Sequence, residues 1–525
     1  MMTFTRHVAV FTLLLLSATV LNLKAQNISP DQLKQLVDRS MRTFNVPGIA
    51  VTIVKNGQVV SDRGYGVRSI TSGAPVDSNT LFGIASNSKA FTTAALGILV
   101  NEGKLRWDDK LIKYIPEFKM YDDYVTKEFT VRDLLTHRSG LGLGAGDLMH
   151  TPDSNSFTIK DIIYSLRFIK PETSFRSRYA YDNIFYLVSA ELITRLSGMS
   201  WGDFIQERIM RPLQMSNSGA SYKRVKQTPD IIDGHVEING REVTTSPGTD
   251  SELDAGAGGI YSSAADMGRW MLMQLNNGRY GPDLKQKLFS EAVHKEMWTP
   301  QVIIPVSKGG IYNTHFGAYG LGWFLTDVKG YEMVSHTGED DGMISQVTLF
   351  PELDLGITVL SNKDGGGAVR AITDQLTDYY LGIKGIDRIQ QWADKVKQYT
   401  SNGDRVTDSV FSEAKHRQAL ASKKENYSKY VGKYRDPWFG DVLITLKNHQ
   451  LWFSSVRSQQ LRGFMIPYKA GTFVVRWINP EIKADAFMIF DREMAGKATH
   501  IALKRVSPAS SAAYDFQDLD LNRTQ

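Results

Sequence analysis

LFGIASNSKAFTTAALGILVNEGKL, Leu81 to Leu105, is the stretch on which the fold and the chemistry of this chain turn. From Ser86 onward its apolar positions follow helical spacing, and Gly103 closes the pattern. Ser86 and Lys89 stand three apart at the start of that helix and share one face. A serine hydroxyl is a poor nucleophile until a base takes its proton, and lysine is that base when burial and neighbouring cations lower its pKa. A serine at a helix N-terminus also turns its own backbone N–H, helped by the dipole, toward a developing oxyanion. The same spacing suits an N-cap serine followed by a surface lysine. A second S-x-x-K, Ser412 to Lys415, lies in a charged segment where a lysine keeps its proton, so the spacing alone does not decide.

Two further motifs weigh on the choice. In FRSRYAYDNIFYLVSAELI, from Phe175, Tyr181 is the one tyrosine followed two residues later by asparagine, Asn183, just ahead of another helical pattern. A phenol near a lysine relays protons and an amide holds a substrate carbonyl, although a packed tyrosine and an N-cap asparagine fit the pair as well. Ser335-His336-Thr337-Gly338 then precedes a strand pair that starts at Ser345. On an edge strand, a cation and a hydroxyl hold an extended substrate by β-augmentation.

With these motifs in place, the chain resembles the penicillin-recognising serine hydrolases, specifically the class C β-lactamase-like group of β-lactamases, DD-peptidases, D-aminopeptidases and esterases. S-x-x-K, Y-x-N and the K/H-T-G triad stand in that family's order, supported by TVRDLLTHRSGL from Thr130, AGAGGIYSSAADMGRWM from Ala255, YGLGWFL from Tyr319 and FPELDLGITVLSN from Phe350. The resemblance covers about residues 30 to 385. It implies an α+β fold, an antiparallel sheet flanked by helices with a helical subdomain, and an acyl-enzyme on Ser86. Lys89 and Tyr181 share base and acid roles. The backbone N–H groups of Ser86 and Glu339 form the oxyanion hole, Asn183, His336, Thr337 and Gly338 bind substrate, and no metal or organic cofactor is required. Residues 426 to 525, with YVGKY near their start and eight short alternating runs, resemble the lipocalin-like β-barrel often attached to such hydrolases.

Substrate is where the chain departs from the group's β-lactamases. His336 stands where they carry lysine, as in some DD-peptidases and D-aminopeptidases, and it is only fractionally protonated near neutrality. Glu339-Asp340-Asp341 follow at once. If they face the pocket, they repel a substrate carboxylate and attract an amine; short acidic runs also commonly face solvent. The expected substrate is a small molecule or peptide, cell-wall derived or containing D-amino acids, with weak or no β-lactam turnover. The alternative is a penicillin- or peptide-binding sensor that acylates slowly and does not turn over.

The rest of the chain sets bounds. In 525 residues, 61 Lys and Arg face 56 Asp and Glu for a net charge of +5, with no basic run of the kind nucleic-acid binding needs. Zero cysteine excludes disulfides, thiolate catalysis and Cys-bound metal. No H-E-x-x-H, Walker A loop or G-x-S-x-G elbow occurs, and Gly140 to Gly146 reads as a flexible glycine-rich loop. Residues 1 to 25 read as a secretory signal peptide: Arg6 and His7, an apolar run from Val8 to Leu21 too short to span a bilayer, then Ala25. The expectation is an exported periplasmic or secreted protein with no stable membrane insertion. Its hydrolase domain covers 26 to 385, a polar and partly helical linking segment 386 to 425, and the barrel 426 to 525. Within the first domain, GIAVTIVKNGQVVSDRGYG from Gly48 predicts a hairpin about Asn56-Gly57, and Ser345 to Asn362 a second strand pair, so both ends of the domain supply one sheet.

Overall fold

The computed structural model describes residues 27–524 apart from 153–154, 239, 246–247, 308, 421–425 and 495; the expected signal peptide lies outside the described residues. Asn56 and Gly57 both adopt positive φ, 52° and 73°, the pair of left-handed residues that a tight two-residue hairpin turn demands. They join strands Gly48–Lys55 and Gln58–Gly66. Along the first strand, Ala50 and Val54 enter one apolar cluster while Ile49, Val51 and Ile53 enter another, the period-2 pattern of a strand buried on both faces. The strand's second neighbour is Leu355–Ser361, paired Ile49 to Ser361 through Lys55 to Leu355, so the two ends of the domain do meet in one sheet.

That sheet has eight antiparallel strands in the spatial order Gln58–Gly66, Gly48–Lys55, Leu355–Ser361, Met343–Phe350, Tyr331–Asp340, Phe324–Val328, Gly317–Tyr319, Val302–Ile303. Helices Pro30–Phe44 and Gly367–Tyr380 cover one face through Leu33, Val37, Ile372 and Leu376. Helix Ala264–Leu275 covers the other through Met267, Trp270 and Met271. Each such apolar side chain contributes about 1.5–3 kcal/mol by leaving water. Behind this layer, helix Ser88–Asn101 is buried on every side from Ser88 to Leu99, which explains a sequence apolar all round the helix. This is the expected β-lactamase/transpeptidase-like arrangement.

The linking segment is a single helix, Arg388–Leu420, on which Ser412 and Lys415 are exposed. The barrel beyond it is closed, with eight strands running from Gly432–Asp436 to Leu521–Arg523. Its last strand begins only at Leu521, and Phe516–Asp518 just ahead of it is a 3-10 turn. Trp438, Phe439, Phe453 and Trp477 are core residues. The barrel is docked on the first domain. The Phe157 and Phe439 rings lie 6.1 Å apart, Ser165 Oγ donates to Trp438 O at 3.2 Å, and Arg457 pairs with Asp161 at 2.9 Å.

Candidate active site

The turn that carries Ser86 is fixed before its helix begins. Ile84 N donates to Ile260 O at 2.9 Å, and Ile84 O accepts from Ser345 Oγ at 2.6 Å. Ala85 is held at φ 45°, a left-handed conformation costly for any residue with a Cβ, directly ahead of the serine. Asn87 Nδ2 donates to Ser345 Oγ at 2.7 Å and Ser88 Oγ accepts from Ile260 N at 3.0 Å, so Ser86 is flanked by anchored neighbours.

Lys89 is fully buried one turn on. Its Nζ donates to Ser86 Oγ at 3.0 Å, Asn183 Oδ1 at 2.7 Å and Ala257 O at 2.9 Å, which uses all three ammonium donors. Burial pushes its pKa down to about 7, and the Asp147 and Asp254 carboxylates keep it from falling further. Tyr181 is hydrogen-bonded to Ser86, and its ring centroid lies 4.8 Å from Lys89 Nζ. Burial raises the Tyr181 hydroxyl well above its ordinary value, so the phenol is protonated wherever the lysine is titrating. Of the two, only the lysine changes charge near neutral pH. Asn183 does precede helix Ile184–Ser197, but its side chain caps nothing there. Its Nδ2 donates to Asp147 Oδ2 at 2.8 Å, making the amide a bridge between Lys89 and Asp147.

The third motif has an open strand edge but lacks the cation that the sequence suggested. Strand Tyr331–Asp340 is paired on both sides as far as Ser335, opposite Phe324, and only from His336 onward is one edge open. That open half lies on the Ser86 turn: a Cβ on Gly338 would sit 2.0 Å from Ile84 O. Thr337 is half-buried there and Glu339 follows where the strand leaves the turn. His336, expected as a partial cation, points inward and is 1% exposed. Its Nδ1 bonds Thr337 O at 2.7 Å, which requires the proton on Nδ1 and leaves Nε2, 2.9 Å from the Tyr319 hydroxyl, to accept. Burial and then Lys89 push it down to about 3, so it is a neutral residue that positions Tyr319 and no anion anchor. Glu339, Asp340 and Asp341 are exposed, at the hairpin end Asp341-Gly342. Burial by surrounding protein still raises the Asp340 carboxyl, and Asp254 lies close enough to add to it.

Several site residues carry no local sequence signal. Asp147 lies in the 3-10 turn Asp147–Met149 and also accepts from His150 Nε2 at 3.0 Å. His137, buried and 4.2 Å from the Tyr181 ring, is held neutral by burial and then by Lys89. The glycine-rich loop Gly140 to Gly146 is packed, not flexible: all but Leu143 are buried, and Gly144 N donates to Tyr181 O at 2.8 Å. Among the described residues, no cluster of three or more His, Cys, Asp or Glu could hold a metal ion, and no helix is long and apolar enough to cross a membrane.

The fold is β-lactamase/transpeptidase-like, and comparison with known proteins agrees. The Beta-lactamase family model matches residues 33–380, and a model described as a domain of unknown function (DUF3471) matches residues 416–523. The chain belongs to the Beta-lactamase family. It is 27% identical over 405 residues to the Unguisins hydrolase ungD of Aspergillus violaceofuscus (strain CBS 115571), covering 72% of this chain and 69% of that one. It is 26% identical to Protein flp of Staphylococcus aureus (strain NCTC 8325 / PS 47), over 64% of each chain. The octameric penicillin-binding protein homologue from Pyrococcus abyssi has the same fold, with a TM-score of 0.60 at 21% identity over 92% of this chain and 99% of that one.

Proposed function

We propose that this chain is an exported serine hydrolase that cleaves an amide, peptide or ester bond through an acyl-enzyme on Ser86. The observation that carries the reading is a lysine titrating at about 7 with its Nζ 3.0 Å from the serine oxygen. Neutral Lys89 takes the Ser86 proton as Oγ adds to the substrate carbonyl. The oxyanion is met by the N–H groups of Ser86 and Glu339, and the new ammonium is balanced by Asp147 and Asp254. As the tetrahedral adduct collapses, Tyr181 gives its proton to the leaving nitrogen or oxygen and regains one from Lys89. Water then attacks the ester and gives its proton to the same pair, which passes it to Ser86 Oγ as the acyl–Oγ bond breaks and the acid is released. Asn183 positions the acyl side, and Thr337 and the open strand edge align the substrate chain. The name of the Aspergillus relative supports a hydrolase.

Labelling with a serine-reactive phosphonate tests this. The adduct is expected on Ser86 and not on Ser412, with a rate that rises with pH through about 7 as Lys89 loses its proton. Adduct elsewhere, or a rate flat across that range, would sink the assignment.

With His336 neutral, the motif offers a substrate carboxylate no cation, and Asp340 and Asp254, close enough to act on each other, add negative charge nearby. The substrate we propose carries a neutral or cationic group there, and β-lactam turnover is weak. An amidated depsipeptide is expected to exceed its free-carboxylate form in kcat/KM by roughly tenfold, the effect of one unscreened like charge near 1.4 kcal/mol. Equal turnover of the two forms removes the charge argument.

A further inference from the structure

The glycine-rich loop that brings Asp147 to the site is held from the barrel. After strand Ala498–Arg505 the chain leaves the barrel wall and returns at Leu521–Arg523. The excursion lies against Gly140 to Gly146: a Cβ on Gly144, which has φ 75°, would sit 2.4 Å from Ala512 O. Asp515, at its inner end, is completely buried. One carboxylate oxygen accepts from Gly146 N at 2.7 Å and the other from Leu148 N at 3.0 Å, on either side of Asp147. From Asp147 the bonds continue to Asn183 Nδ2 at 2.8 Å, and from Asn183 Oδ1 to Lys89 Nζ at 2.7 Å. A buried carboxyl is costly, and here Asp518 and Asp147 lie close enough to raise it further. Two backbone donors converge on it, and no other described carboxylate of the barrel is spent on the hydrolase domain's catalytic loop in this way.

We infer that Asp515 of the C-terminal barrel is a positioning residue for catalysis: it clamps the loop that sets Asp147 against Asn183 and Lys89, so the barrel completes the active site of the first domain. The inference rests on the Ser86–Lys89 reading above. Without the clamp, Asp147 is free to leave. Asn183 then loses the partner of its Nδ2, and the lysine loses the stronger of its two named counter-charges. The other groups about Lys89 are Tyr181, Tyr186, His137, His336, His150 and Asp254. Asp254 alone remains as an anion, since His137 and His336 are neutral and His150 itself leans on Asp147.

The test compares the full-length wild type with Asp515→Ala, Asp515→Asn, Asp147→Ala and the Asp147→Ala/Asp515→Ala double variant, by phosphonate labelling and by turnover of a chromogenic ester. Labelling of the wild type at Ser86 checks the underlying reading by itself; if it is absent, that reading fails and not the clamp. With wild type labelled, Asp515→Ala is expected to lower kcat roughly tenfold or more, the scale of a small misplacement of catalytic groups. Its acid limb should move down by roughly one pH unit, because loss of a nearby anion lowers a lysine's pKa. Asp515→Asn, which retains one acceptor oxygen, should recover part of both effects, and the double variant should be no worse than Asp147→Ala alone. A purely structural role lowers the active fraction without moving the pH limb. An unmoved limb, additive losses in the double variant, or failure of both Asp515 variants to fold would each overturn the inference.

Discussion

Ser86→Ala, Lys89→Met and the double variant are expected to fall to one common residual rate, at least ~10⁴-fold below wild type in kcat/KM, as when members of a catalytic unit are removed singly or together. The reason is geometric. Among the described residues Lys89 Nζ has three acceptors, Ser86 Oγ, Asn183 Oδ1 and Ala257 O, and in the acylation step it acts on the substrate through the serine. Methionine fills most of the lysine's buried volume, so the helix Ser88–Asn101 keeps its packing, while Asn183 Oδ1 and Ala257 O are left without a donor. The Lys89→Met enzyme should therefore be less stable by about 1–3 kcal/mol, whereas Ser86→Ala, which removes only a hydroxyl, should melt near wild type. Steady-state turnover of an ester, with thermal melts of each variant, checks both halves. A double variant markedly slower than either single one would show the two residues acting independently.

Gly338→Ala is the second large effect, and it tests the strand and not the nucleophile. The added Cβ would stand 2.0 Å from Ile84 O and 2.5 Å from Ser345 Oγ. Ile84 O is backbone, tied to Ser345 Oγ at 2.6 Å, so it has nowhere to yield. The strand must move off the Ser86 turn, taking Thr337 and the Glu339 N–H with it. A displacement near 1 Å costs about 10²-fold in rate, and overpacking costs about 1–3 kcal/mol of stability. The loss should appear in the acylation rate, with the pH limb set by Lys89 unmoved. Acylation within twofold of wild type would mean that the open strand edge plays no part in binding the acyl group.

Much of this was legible before any coordinates. The Asn56-Gly57 hairpin, the strand pair from Ser345 and the all-round apolar helix after Ser86 each follow from local rules of turn conformation and residue period, and each lies where the sequence placed it. Ser86, Lys89, Tyr181 and Asn183 could be picked from two short motifs, and the fold brings them within hydrogen-bond or ring contact. The reading of the third motif went astray over charge and not over topology: His336 is buried, and burial leaves it neutral. The open edge is there, since the pairing with Phe324–Val328 stops at Ser335, one residue before the motif's histidine. The glycine-rich loop misled in another way. Glycines permit a flexible loop, and they also permit close approach of another backbone, here that of Ala512.

By itself, then, the sequence determined the residue types that do chemistry, their order and the elements that carry them, because those depend on neighbours within a few positions. Only the tertiary structure decided their charge states. Lys89 titrates near 7, His336 is neutral and Tyr181 stays protonated because burial strips water from each, and burial is set by segments hundreds of residues away. It also decided that Asp147, which belongs to no motif, faces the lysine through Asn183, and that Asp515, from a domain that reads in sequence as an appendage, reaches the loop that holds it.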